Sequence, residues 1–332
     1  MAEDRLICIA DKGATSSIRM FSVDSDGNIT GMDSVQSFGP TEAQRPDIVD
    51  MGNNWAVVVY RGGNNSYFMS MTVNYNTTTG VLTLGTPQEQ NATVMAGTDA
   101  VHAAKISSTK LVMCGARNAG RIEIILGELN TGTSQVDSLD STTTETGNVC
   151  GYLGVCEIDS DHVFMSYFRF TGTDQVQCRL IDTTSDTLTV GGALILDAPN
   201  VAAYATACVE VDTDVVMVAW VGDDLDGYAR TIDVNRSTNA LTTRGAEFEF
   251  EPAVTIDFLI DLVLIQTNSV LMSWGIGQND GKTGIYSIDG SGDITLAGST
   301  AQFETAYGTA PYVSGAVAND TMIGIFYAIC LY

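Results

Sequence analysis

The chain has 332 residues, 45% of them hydrophobic, with 33 glycines and only 6 prolines. Forty Asp and Glu against 15 Lys and Arg give a formal charge of −25, which opposes nonspecific attachment to nucleic acid or to an anionic membrane. No uninterrupted apolar run is long enough to span a bilayer, and MAEDRLICIA lacks the basic-then-apolar order of an export signal.

In chain order, apolar runs that each precede a Gly-rich or polar loop start at Leu6, Trp55, Leu111, Val163, Val215, Val270 and Met322, at spacings of 49 to 56 residues. Hairpin turns fall between them: VDSDGNIT from Val23, VNYNTTTGVLT from Val73, ELNTGTSQV from Glu128, IDTTSDTLT from Ile181, VNRSTNALT from Val234 and IDGSGDIT from Ile288. Asn, Asp and Gly between β-branched strands is hairpin chemistry. A further strand precedes every apolar run but the first, at residues 47–51, 100–106, 151–158, 203–211, 258–265 and 312–318. Each repeat therefore has four strands.

Antiparallel four-stranded units of this length, repeated four to eight times, resemble the blades of a β-propeller. The resemblance implies an all-β fold: a single propeller domain of six four-stranded blades, with seven the alternative, closed by N- and C-terminal strands. The repeats run near 1–45, 46–97, 98–149, 150–201, 202–254 and 255–307, and 308–332 completes the first blade. Second strands number seven, because LICIAD and TMIGIFYAICLY both fit that role. The Thr/Asn/Gly-rich turns and end-to-end strand repetition also resemble structural and fibre proteins of tailed viruses. That resemblance implies a virion, and the lack of an export signal or membrane segment makes the cytoplasm the other expected location.

Aligned at the seventh position of the second strand are Lys12, Arg61, Arg117 and Arg169, in four consecutive repeats, followed by Val221 and Ile276. Four of 15 basic residues at one repeated position suggest a site for a carboxylate, sulfate or phosphate, to which Arg offers a two-pronged fork. The competing reading is salt bridges to carboxylates such as Asp47 and Asp99.

Other chemistry has weaker support. The acidic loops at Asp24, Asp26 and Gly27 and at Asp223, Asp224, Asp226 and Gly227 resemble fragments of calcium loops and lack the remaining ligands, so no metal is expected. His102 and His162 stand in different repeats without a zinc or nucleophile motif around them, and no cofactor motif is present. Asp47, Asp99 and Asp257 enter the repeats at comparable points and are candidates for a glycosidase pair, or for capping backbone amides at strand starts.

Trp55, Trp220 and Trp274 lie in second strands and read as packing between blades. Seven cysteines without CxxC spacing read as reduced thiols. Cys150 and Cys156, about 20 Å apart on one extended strand, cannot pair. The expected function is a non-enzymatic binding or structural module that presents a propeller face to a glycan or a protein partner, other virion subunits included. The alternatives are a carbohydrate-active enzyme using rim carboxylates and a scaffold that docks neighbouring subunits into an oligomer.

Overall fold

The computed structural model describes residues 4–10, 16–24, 28–38, 44–62, 67–91, 101–117, 121–144, 149–170, 175–196, 205–222, 225–252, 256–276, 280–304, 312–319 and 322–328. The fold is an all-β propeller with six antiparallel blades. The second strands are Asp4–Ala10, Trp55–Gly62, Lys110–Arg117, His162–Phe170, Val215–Val221 and Ser269–Ile276, and each starts within two residues of its apolar run. From the second blade onward a first strand pairs with them: Gln44–Gly52, Val101–Lys105, Val149–Glu157, Thr206–Asp212 and Ile256–Gln266. The surplus second strand, Met322–Ala328, pairs with Tyr312–Asn319 in a separate two-stranded sheet.

Two compact units make up the chain. One comprises residues 1–151, 159–161 and 183–188; the other comprises 152–158, 162–182 and 189–332. In both, the core lies between successive sheets. Along Trp55–Gly62, Ala56, Val58 and Tyr60 join Ile18, Met20 and Phe38 of the first blade, whereas Val57 and Val59 join Val101, Met113 and Ile125 of the third. Along Val215–Val221, Val216, Val218 and Trp220 pack with Phe164, Phe168 and Leu180, while Met217, Ala219 and Val221 pack with Met272 and Trp274. A strand alternates its side chains between two faces. With a sheet covering each face, both sets must be apolar, which is why these runs are continuous rather than alternating. Each fully buried Val, Met or Phe contributes roughly 1.5–3 kcal/mol.

The turns repeat as faithfully as the strands. Between third and fourth strands an Asx side chain caps the reversal. Asn76 Oδ1 accepts from the amides of Thr78 and Thr79 at 2.9 and 3.0 Å, Asn130 from Gly132 and Thr133 at 3.1 and 3.2 Å, and Asp289 from Ser291 and Asp293 at 2.8 and 3.0 Å. Asp24 and Asn235 hold the same place in their blades, each accepting an amide within its turn.

The turn before the second strand ends at Asn54, Asp214 and Asn268 with φ of 67°, 62° and 61°, a left-handed conformation that Asn and Asp tolerate better than most residues. Their carbonyls take the amides of Tyr75, Val234 and Ile288 at 2.9, 2.8 and 2.9 Å. These bonds tie the end of each third strand to the start of the second.

Fourth strands are short and, outside the third blade, broken in two, as in Ala240–Thr243 and Phe248–Glu251. Three arginines occupy these breaks: Arg19 Nε donates to Asp33 O at 2.7 Å, Arg179 Nη1 to Gly191 O at 2.8 Å and Arg230 Nε to Gly245 O at 2.9 Å. Gly245 is required at its break because a Cβ there would run into the Gly292 carbonyl. That carbonyl already accepts the buried Thr231 hydroxyl at 2.6 Å. In the third blade the outer strand Gln135–Thr144 is unbroken and shifts register by a bulge opposite Leu126 and Gly127. Breaks and bulges of this kind blunt an edge that would otherwise accept another strand.

Candidate functional site

Arg61, Arg117 and Arg169 occupy the ends of second strands, where the chain is about to reverse into the third. Their cross-strand partners are Phe68, Arg121 and Gln175. All three are half-buried. The shared position follows from the pattern: the apolar run must end where the sheet reaches water, and a long side chain can leave its stem on the sheet while its head is solvated. Lys12 lies outside the described residues.

Arg117 is held by a neighbour that the sequence pattern did not single out. Its Nη1 donates to Glu123 Oε2 at 2.6 Å, and Glu123 Oε1 accepts from Asn91 Nδ2 of the preceding blade at 2.6 Å. The Glu123 side chain is only 4% exposed, against 18% for Arg117. A buried carboxylate without its cation is costly, so Arg117 holds Glu123 in place within the third blade while the Asn91 bond ties the second blade to it. Salt bridges to Asp47 and Asp99 were the expected alternative to a ligand; for Arg117 the carboxylate is Glu123.

Asp47 is used otherwise. Its Oδ1 accepts the Ile48 amide at 2.8 Å and its Oδ2 the Ala103 amide at 3.0 Å, with His102 Nδ1 at 3.5 Å. Its carboxylate therefore takes backbone amides within the first strands of two successive blades rather than at their starts, and His102 is its neighbour. Asp99 and the side chain of Asp257 lie outside the described residues.

A second buried lock appears between the fifth and sixth blades. Lys282 Nζ donates to both Glu251 oxygens at 2.9 Å, and Trp274 Nε1 donates to Oε2 at 3.2 Å. Asn91 and Glu251 each end the last strand of a blade, and Glu123 and Lys282 are each the third residue of the next blade's third strand. The position repeats while the charge reverses. That reversal hides it from a search for one residue type. Trp220 and Trp274 are fully buried, as expected for packing residues, and Trp55 is half-buried.

The opposite strand ends carry two shallow clefts. One, of about 440 Å³ in the first unit, is lined by Ser107, Thr109, Lys110, Asp161, Thr183 and Asp186, among others. Its Lys110–Asp186 hydrogen bond holds the ammonium pKa above its ordinary value. The other, of about 520 Å³ in the second unit, contains Asp214 and Arg236. There Arg236 Nε lies 2.6 Å from Asp214 Oδ1 and Nη2 donates to Oδ2 at 2.8 Å. Lys110 and Arg236 are thus each paired with a carboxylate of their own cleft.

Asp24, from the calcium-like loop, spends its carboxylate on the amide and side chain of Asn28 at 2.8 and 2.9 Å. Among the described residues no three His, Cys, Asp or Glu side chains are placed to hold a metal. Cys8, Cys114, Cys156, Cys178 and Cys208 form no disulfide, and burial pushes the Cys8 thiol up to about 11. No helix among the described residues is long and apolar enough to cross a membrane.

No protein-family model matches the chain, and no curated protein sequence matches it. Solved structures do resemble it. A Lactobacillus plantarum protein is 15% identical over 93% of this chain and 84% of its own, with a TM-score of 0.64. The Aleuria aurantia lectin bound to α-methyl-L-fucoside is 13% identical over 90% and 95%, with a TM-score of 0.48. A candidate 6-phosphogluconolactonase from Bacteroides fragilis is 8% identical over 92% and 96%, with a TM-score of 0.47. At such identities the likeness is one of fold: the chain resembles propeller proteins.

Proposed function

We propose that this chain is a non-enzymatic binding module that presents a propeller face to an acidic glycan, with Arg61, Arg117 and Arg169 as ligand-binding residues and Lys12 as the fourth member of the frame. The observation that carries the reading is the recurrence of Arg61, Arg117 and Arg169 at one register, half-buried at the ends of second strands, in a chain with only 15 basic residues. An arginine held by its stem on a rigid strand meets an oxyanion with less loss of side-chain freedom than one on a free loop. The Thr/Asn/Gly-rich turns, which resemble those of tailed-virus fibre proteins, extend the reading to a virion surface or tail component.

Replacing Arg61 and Arg117 together by Gln tests it. Affinity for a sialylated or uronate-bearing oligosaccharide, measured by calorimetry, should fall by roughly tenfold or more, the value of losing charge-assisted hydrogen bonds. Unchanged affinity with a lowered melting temperature would assign these arginines to structure alone.

A further inference from the structure

The strand pairing at Arg117 sets a second arginine directly opposite the first. Arg117 and Arg121 are directly cross-strand, the last pair where Lys110–Arg117 meets Arg121–Asn130. Directly opposed residues in an antiparallel pair have Cβ atoms about 4.5–5.5 Å apart and project on the same side of the sheet. Two like charges so placed repel each other, and an isolated pair would be destabilising. Glu123 offsets part of this, but its oxygens are taken by Arg117 and Asn91. Arg121 is exposed and has no hydrogen-bond or ion-pair partner among the described residues. The cross-strand counterparts of Arg61 and Arg169 are Phe68 and Gln175, so this doubling belongs to the third blade.

Building on the binding reading above, we propose that Arg117 and Arg121 form a two-guanidinium cradle for one carboxylate or sulfate on an otherwise neutral glycan. Arg117, fixed by Glu123 and Asn91, supplies the pre-set donor; Arg121, exposed at the strand start, closes on the bound oxyanion from across the strand. An oxyanion lodged between the two relieves the repulsion that the fold imposes. The net charge argues for a sparsely charged ligand. A chain of −25 repels a polyacidic protein or polysaccharide over its whole approach, whereas a single acidic sugar meets the long-range field with one charge only. Glu123 acts through Arg117 and is a positioning residue.

The test measures dissociation constants by calorimetry for wild type, R121Q, R121K, the double variant R61Q/R117Q, and K105Q as a control that removes a charge from the other end of the same blade. The probes are a neutral oligosaccharide, the same oligosaccharide ending in one sialic acid, its mono-sulfated form, and a poly-glutamate peptide. The cradle predicts binding of the mono-acidic forms, a loss of roughly tenfold or more in R121Q, a smaller loss in R121K, which keeps the charge without the fork, and no change in K105Q. The carboxylated and sulfated probes decide which oxyanion is preferred, and binding of either supports the cradle.

Full affinity in R121Q alongside loss in R61Q/R117Q would overturn the cradle and leave the binding reading standing. No binding of either mono-acidic probe by wild type would overturn both. Preference for poly-glutamate would overturn the glycan as occupant. Arg121 has no partner to lose among the described residues and its charge opposes that of Arg117, so R121Q should melt at or slightly above wild type.

Discussion

The phenol oxygen of Tyr60 is buried without a hydrogen-bond partner among the described residues, on a ring packed edge-on to Phe38 at 5.6 Å and 70°. Burial pushes this phenol up to about 12 from 10.0, because the phenolate would lose its hydration. The folded chain thus keeps a proton that the unfolded chain releases. The corresponding stability is complete below pH 10 and is lost as the pH rises through about 12. Tyr60→Phe removes an unsatisfied polar atom at nearly constant shape, so it should gain about 1 kcal/mol at pH 7 and flatten the decline between pH 10 and 12. Urea unfolding at both pH values measures this. A lower midpoint at pH 7 would mean that the hydroxyl has a partner worth keeping. Tyr286 shows the same unsatisfied oxygen, its pKa raised first by burial and then by Glu251.

At the scale of the element, the third-to-fourth-strand turn depends on one side chain. In Asn130→Ala the amides of Gly132 and Thr133 lose their acceptor, and Asp137 Oδ2 loses the Asn130 amide donor at 3.0 Å. The expected cost is about 1–2 kcal/mol in urea unfolding, and Asn130→Asp should also fall below wild type, because it keeps the turn acceptor but sets a carboxylate against Asp137. Equal stability of the Ala variant would show that the turn holds without its Asx cap. These turns and the second strands were legible in the sequence because local chemistry decides them: Asn or Asp at one spacing, and runs that must be apolar on both sides. The broken outer strands were not. Phe248–Glu251 and its like are four residues or fewer, and in the first, fourth and fifth blades an arginine of the third strand bonds into the break, as Arg230 does to Gly245. That bond comes from the paired third strand, so the short outer segments carry no mark of it in their own residues.

For the whole molecule, the repeat frame found Arg61, Arg117 and Arg169 because they recur. It missed Arg121, since no other described third strand starts with a cation facing a cation, and it missed Glu123, whose counterpart in the sixth blade is Lys282. Recurrence reveals what a fold needs in every blade, whereas a site made in one blade breaks the pattern. The most direct measurement of the binding account is an NMR titration of the isotope-labelled chain with the mono-sialylated oligosaccharide, following the arginine Nε–H resonances and the backbone amides. The account predicts saturable shifts at Arg61, Arg117 and Arg121, with the Asx-capped turns at Asn76 and Asn130 unmoved. Shifts confined to those turns, or none at all, would contradict it.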